Sequence, residues 1–193
     1  MNCKVDPIRC QWVNLSNKLS INYHDYEWGV PVYDDNKLFE MLILEGAQAG
    51  LSWETILNKR QNYRVSFDNF DVKKVSWYDD NKRNELLKNK GIVRNRLKIN
   101  SSIQNANIFI KIQNSYGSFS NYIWSFTNHK QITNNFKLLL DIPTSTNLSD
   151  AISKDLRGRG MNFVGSTIIY AFMQAIGMVN DHTVDCYRYK ELL

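Results

Sequence analysis

The chain has 193 residues, 43% hydrophobic and 22% charged, with a net charge of +5. That length supports one domain with a sizeable core. No apolar run reaches about 18 residues, which argues against a membrane-spanning helix, and the polar first ten residues do not resemble a secretory signal. Three cysteines are too few for a secreted disulfide framework and suit a reducing cytoplasm. The mild basic excess, 24 Lys and Arg against 19 Asp and Glu, is compatible with nucleic acid and equally with a solvated basic face.

Helical spacing dominates the pattern, and Pro7, Pro31 and Pro143 interrupt none of its stronger stretches. Asp34 or Asp35 is placed to cap a helix with apolar positions at Leu38, Phe39, Met41, Leu42 and Ile43, running towards Glu45. Gly50 breaks it. Ser52 is the expected cap of the next helix, through Trp53, Ile56, Leu57 and Tyr63. Asp71 opens a short helix through Val75, and another passes Glu85, Leu86 and Leu87 to stop at Gly91. A longer helix is expected over residues 94–116, ending near Gly117. Phe119, Tyr122, Ile123 and Phe126 mark a short one. Ser145 or Ser149 opens a helix ending in Arg157-Gly158-Arg159-Gly160. Residues 166–177 are apolar almost all round, as a core helix requires. No sustained period-two alternation occurs. The expected class is therefore all-α, in a single domain over residues 1–193, with residues 1–9 as an N-terminal extension.

The chain holds only three histidines and three cysteines, and four of these six lie at its two ends. Cys10 and His24 are near the start. His182 and Cys186 near the end are spaced H-x3-C, which on a helical turn puts both on one face. Two thiolates and two imidazoles complete a tetrahedral structural zinc site with no position left for water. Taken singly, each is an ordinary buried cysteine or partnered histidine. Cys3 is left as a free thiol at a mobile terminus, and His129 as a core or surface histidine. The Arg157 and Arg159 pair reads as solvated or touching phosphate.

Glu45 ends an apolar helix and is followed by Gly46 and Gly50, which allow close backbone approach to a ligand. Trp53 lies near it in sequence, and Trp28 and Tyr23 flank the candidate metal ligand His24. A carboxylate beside aromatic faces suits a flat cationic ring that carries N–H groups. The alternative is a carboxylate paired near a helix end, with the aromatics serving the core. The segment from Leu86 to Arg96, with Gly91 at its turn and Lys88, Lys90, Arg94 and Arg96 around it, can form a helix-hairpin-helix that holds a DNA phosphate through backbone N–H groups. Its common pattern carries a second glycine where this chain has Val93. An exposed basic helix turn is the alternative.

The segments Tyr23-His24-Asp25-Tyr26-Glu27-Trp28-Gly29-Val30-Pro31 and Leu44-Glu45-Gly46-Ala47-Gln48-Ala49-Gly50-Leu51-Ser52-Trp53 resemble the bacterial 3-methyladenine DNA glycosylase I (Tag) family. So do Gly91-Ile92-Val93-Arg94, Ile142-Pro143-Thr144-Ser145, Phe163-Val164-Gly165-Ser166-Thr167 and Val179-Asn180-Asp181-His182. The resemblance runs from about Cys10 to Cys186, with its motifs in order.

It implies a helix-hairpin-helix glycosylase fold with one structural zinc on Cys10, His24, His182 and Cys186. It places the lesion-binding and catalytic carboxylate on Glu45 and the pocket aromatics on Tyr23 and Trp53. Gly50 and Leu51 match the loop that approaches the gap left by the flipped nucleotide, and the hairpin at Gly91 and Arg94 holds the backbone. The implied reaction is hydrolysis of the N-glycosidic bond of 3-methyladenine in alkylated double-stranded DNA, with the free base as product. The implied enzyme is a cytoplasmic monomer that does not cut the strand. A non-catalytic damage-binding module on the same scaffold is the other reading, and a zinc hydrolase a third. One departure stands out. Three residues before Tyr23 the family carries a tyrosine where this chain has Ser20, and a missing ring removes roughly 1–3 kcal/mol of stacking. Tyr26 and Tyr33 are the nearby rings available to fill the place, and a pocket opened this way can admit another alkylated purine such as 3-methylguanine.

Overall fold

The computed structural model of the chain describes residues 6–193, so Cys3 lies outside the described residues. Ten α-helices occur among them. They are α1 (Lys18–Tyr26), α2 (Asp35–Gln48), α3 (Trp53–Ser66), α4 (Val72–Ser76), α5 (Asp80–Lys88), α6 (Arg96–Tyr116), α7 (Phe119–Ser125), α8 (Asn147–Gly158), α9 (Ser166–Ala175) and α10 (Tyr187–Glu191).

Side-chain caps set most of the starts. Asp34 caps α2 by accepting from the Lys37 N–H at 2.8 Å. Asp35 does something else: its carboxylate accepts from the Phe119 and Ser120 N–H groups at 2.9 and 2.8 Å, which pins the start of α7 onto α2. Ser52 caps α3 and Asp71 caps α4, as expected. The cap of α8 is Thr146, between the two serines proposed for it. Helix α6 ends at Gly117, whose φ of +80° only glycine adopts without strain.

Helix α2 is the axis of the core. Every residue from Leu38 to Ala47 is buried, and α3, α6, α7 and α9 pack around it. Phe39 meets Phe109 of α6 at 5.2 Å between ring centroids, and Phe109 stacks on Phe119 of α7 at 4.0 Å. Each such side chain contributes about 1.5–3 kcal/mol by leaving water. A helix buried on all sides can bring a carboxylate such as Glu45 into the interior.

Three features depart from the sequence reading. Strands β1 (Ile132–Thr133) and β2 (Val179–Asn180) pair in parallel, Ile132 beside Val179. β2 is buried and β1 exposed, so β1 covers a buried segment whose backbone groups need partners, and two-residue strands leave no period-two signal. Helix α1 was not foreseen because its buried positions are Ser20, Tyr23, His24 and Asp25, so it has no apolar stripe. Helix α10, one short turn-and-a-half at the C-terminal end, also went unread.

Candidate active site and metal centre

Cys10, His24, His182 and Cys186 come together in the interior, each at most 3% exposed. Their donor atoms all lie within 4.8 Å of one another. Cys10 Sγ is 3.4 Å from His182 Nδ1, and Cys186 Sγ is 3.4 Å from His24 Nε2 and 3.5 Å from His182 Nδ1. Donors bound tetrahedrally to a metal at about 2.0–2.3 Å stand roughly 3.3–3.8 Å apart, so the cluster fits such an ion. Hydrogen bonding between the two sulfurs pushes the Cys10 thiol up and pulls the Cys186 thiol down.

The remaining ring nitrogens are also fixed. His24 Nδ1 faces Asp25 Oδ1 at 2.7 Å, and His182 Nε2 faces the Trp28 carbonyl at 3.0 Å. Each ring then donates outward and keeps its other nitrogen as a ligand. Burial opposes the Asp25 charge, yet Arg9 and His24 hold its pKa at about 2. Arg9 reaches it with Nε at 2.9 Å and a terminal nitrogen at 2.7 Å. The four ligands do not share helical turns. His182 follows β2 in irregular backbone, and Cys186 precedes α10. A turn closed by the Cys186 N–H on the Thr183 carbonyl, at 2.8 Å, brings the pair together instead. Gly29, at φ +78°, lets the chain pass the His182 ring, where a Cβ would stand 3.1 Å from it.

A cavity of about 510 Å³ adjoins this centre. Glu45 projects from α2 into its wall and is 4% exposed. Trp53, at the start of α3, and Tyr23, on α1, pack against each other in its wall, tilted by 45° with centroids 5.0 Å apart. Trp28 and Trp12 complete the aromatic side, 5.0 Å apart. Loss of water pushes the Glu45 pKa up to about 8, and Arg60 offsets part of that rise. Among the described residues no hydrogen bond or ion pair reaches the Glu45 carboxylate. Arg60 is itself claimed by Glu40 at 2.7 Å and, in a fork, by Glu27 at 2.9 and 2.8 Å. Its charge is therefore largely spent on them.

Several of these residues escaped the sequence reading. Trp12 follows Cys10 by two positions and its indole packs 5.4 Å from the His24 ring. Tyr170 and Gln174 of α9 line the cavity and both donate to the buried Asp181, at 2.6 and 2.8 Å. Only the adjacency of Asp181 to His182 hinted at them. Ser20 lies on the cavity wall, where its hydroxyl accepts from the Asn14 N–H at 3.0 Å. Tyr26 and Tyr33 do not replace a ring there. Tyr26 is exposed, and Tyr33 packs on Trp124 at 4.8 Å. Gly46 serves packing rather than a ligand, since a Cβ would meet Phe163 at 3.3 Å. Gly50 does lie at the open edge, with φ +76° and nothing within 4 Å of a Cβ. The indole N–H groups of Trp12 and Trp53 are buried without an acceptor among the described residues.

Beside the cavity, Leu51, Thr55, Lys59, Lys90 and Arg94 line a shallow groove. It brings the Gly50 turn against the hairpin between α5 and α6. Gly91 packs so closely on α3 that a Cβ would meet Asn62 at 2.9 Å. The Val93 N–H donates to the Tyr63 hydroxyl at 3.2 Å, so the position that lacks the second glycine turns its amide inward. Arg94 is exposed. His129 is an exposed surface histidine. Arg157 is exposed too, and Arg159, partly exposed, donates to Asp155 at 2.6 Å and to the Tyr116 hydroxyl at 3.0 Å.

A family model described as methyladenine glycosylase matches residues 12–189. DNA-3-methyladenine glycosylase 1 of Escherichia coli (strain K12) is 49% identical over 181 residues, covering 94% of this chain and 96% of that protein. The DNA-3-methyladenine glycosylase of Haemophilus influenzae is 45% identical over 178 residues, covering 92% and 96%. A crystal structure of 3-methyladenine DNA glycosylase I superposes with a TM-score of 0.90 at 47% identity, covering 93% of this chain and 98% of that one. A structure of 3-methyladenine DNA glycosylase I from Staphylococcus aureus, on 3-methyladenine recognition, superposes at 0.86 with 35% identity, covering 89% and 91%. With sequence and fold matching over nearly its whole length, the chain belongs to the methyladenine glycosylase family.

Proposed function

We propose that this protein is a DNA-3-methyladenine glycosylase, which hydrolyses the N-glycosidic bond of 3-methyladenine in alkylated double-stranded DNA and leaves the strand uncut. The observation that carries this reading is Glu45, a nearly buried carboxyl with no hydrogen-bond partner among the described residues, set among Tyr23, Trp53 and Trp28 in a cavity large enough for a purine.

A base inside the duplex is out of reach, so the nucleotide must first leave the stack. Methylation at N3 makes the bound base cationic. In the empty cavity Glu45 keeps its proton near neutral pH. A cationic base supplies the charge that lets it ionise, and the aromatic faces add cation–π attraction. Neutral adenine offers neither gain, so the site rejects it by comparison. A purine also brings lone pairs for the two indole N–H groups that lack acceptors. When the bond to C1′ breaks, its electron pair stays on the purine, which leaves uncharged. Water adds to C1′ and gives up a proton. A carboxylate at Glu45 stabilises the positive charge that spreads between base and sugar during this step. Among the described residues no lysine lines the cavity to form a Schiff base, which supports simple hydrolysis.

The hairpin between α5 and α6 serves in this reading as a helix-hairpin-helix. Gly91 and Arg94 hold the phosphate backbone, while Gly50 and Leu51 enter the gap left by the flipped nucleotide. Leu51 is 42% exposed and lines the groove beside the hairpin. Cys10, His24, His182 and Cys186 would hold one structural zinc, whose chemistry is to join the two chain ends. The whole is read as one domain over residues 1–193, a monomer acting in the cytoplasm. No helix among the described residues is long and apolar enough to cross a membrane.

Release of free bases from methylated duplex DNA tests the proposal. The wild type is expected to release 3-methyladenine. Glu45→Gln should slow release on the order of 10²-fold or more while folding normally. Tight binding of the damaged duplex with no release by folded, metal-loaded wild type would establish a damage-binding module instead.

A further inference from the structure

Lys98 lies in the first turn of α6, where its N–H donates to the cap residue Asn95 at 3.1 Å. Its side chain does not join the basic groove. It is half-buried, and its ammonium donates to the Ala47 carbonyl at 2.8 Å and the Ala49 carbonyl at 2.6 Å. These carbonyls close α2. The last carbonyls of a helix have no partner within it and carry its negative end. The N–H that would serve Ala47 belongs to Leu51, and it turns to Gln48 instead, at 2.6 Å. Beyond Ala49 come Gly50 at φ +76°, the exposed Leu51 and Ser52, the cap of α3. Glu45 stands just before this turn and Trp53 just after it. One ammonium therefore ties the turn between the two pocket residues to the helix that leaves the hairpin. Loss of water lowers the Lys98 pKa. A neutral amine still has two N–H donors, one for each carbonyl, so the clamp does not depend on the charge.

We propose that Lys98 is a positioning residue for base extrusion, holding residues 49–52 at a fixed offset from the hairpin so that Leu51 meets the duplex when the hairpin grips the backbone. This rests on the glycosylase reading above. Single-stranded DNA has no stack to invade, so it needs the offset far less. Free base needs only the cavity.

Lys98→Met keeps the apolar stem and removes the donors. Its excision from methylated duplex DNA should fall about 10-fold or more, the cost of a misplaced loop. Excision from single-stranded methylated DNA and binding of free 3-methyladenine, read by tryptophan fluorescence, should change about twofold or less. Hydrogen exchange at the Leu51 amide should speed up, as local opening becomes easier. Lys98→Arg, which keeps two donors, should restore the ratio of duplex to single-strand excision. An unchanged ratio in Lys98→Met, whether both activities fall together or neither falls, overturns the proposal. Should Lys98→Met not fold, Lys98→Leu, which also lacks a donor, takes its place and the same ratio decides. If the wild type excises nothing from either DNA, the glycosylase reading fails. Leu51 exchange then still judges the clamp, and exchange unaltered by the substitution refutes it.

Discussion

Glu45 holds its proton more tightly in the fold than in an unfolded chain, its pKa rising from 4.5 to about 8. The fold therefore loses stability as pH climbs from about 4.5 towards 8, because the unfolded carboxyl ionises first. At pH 7 the penalty is roughly 3 kcal/mol at most. Glu45→Gln should raise the melting temperature at pH 7 to 8, with the gain fading as pH falls to 4.5, as thermal melts across pH will show. A variant less stable than wild type at pH 8 would mean that burial of Glu45 carries no such cost. The cavity wall offers a second test. Trp12→Ala should weaken binding of free 3-methyladenine by about 1–3 kcal/mol, measured by calorimetry, since stacked rings contribute that much. Glu45 was legible in sequence because a carboxylate on an apolar helix is conspicuous. Trp12 was not, because a tryptophan near a terminus reads equally well as packing. Arg60 was hidden for a related reason. Its partners Glu27 and Glu40 come from two other segments, and only the fold unites them.

At the scale of elements, the hairpin and the turn after α2 depend on close packing against α3. Gly91→Ala would drive a Cβ to 2.9 Å from Asn62, so a loss of about 1–3 kcal/mol is expected in denaturant unfolding. Arg94→Ala should leave stability within about 0.5 kcal/mol and reduce the salt dependence of DNA binding by about one ion. An unchanged salt slope would remove Arg94 from the phosphate contact. Helices α2, α3 and α6 were readable because each presents apolar residues at helical spacing with a capping side chain ahead, and α9 because it is apolar almost all round. Helix α1 was unreadable by that rule, since it turns Tyr23 to the cavity and His24 to the metal cluster. An element that reaches both the cavity and the Cys/His cluster was thus one without an apolar stripe.

Across the whole molecule, the Cys/His cluster joins segments 172 residues apart, and the Tyr187 N–H on the Ile8 carbonyl at 2.9 Å seals the same junction. The ligands were legible from residue scarcity alone. Their geometry was not, because a turn rather than a helix presents His182 and Cys186. Trp28 and Trp12 touch both the histidines and the cavity, so the junction and the base pocket share walls. Cys186→Ala should abolish retention of one zinc per chain and lower stability by several kcal/mol, in line with losing a structural site. A metal-free protein that stayed fully folded yet inactive would assign the ion to catalysis instead.

The pH dependence of kcat/KM for 3-methyladenine release from duplex DNA, in wild type and Glu45→Gln, tests the central claim most directly. Binding of a cationic base requires Glu45 to lose its proton, so kcat/KM for the wild type should rise about tenfold per pH unit and level off near pH 8, the free enzyme's value. The rise should be absent in Glu45→Gln. A wild-type profile flat from pH 5 to 9, or the same rise in both proteins, would contradict a role for the buried carboxylate in recognising the charged base.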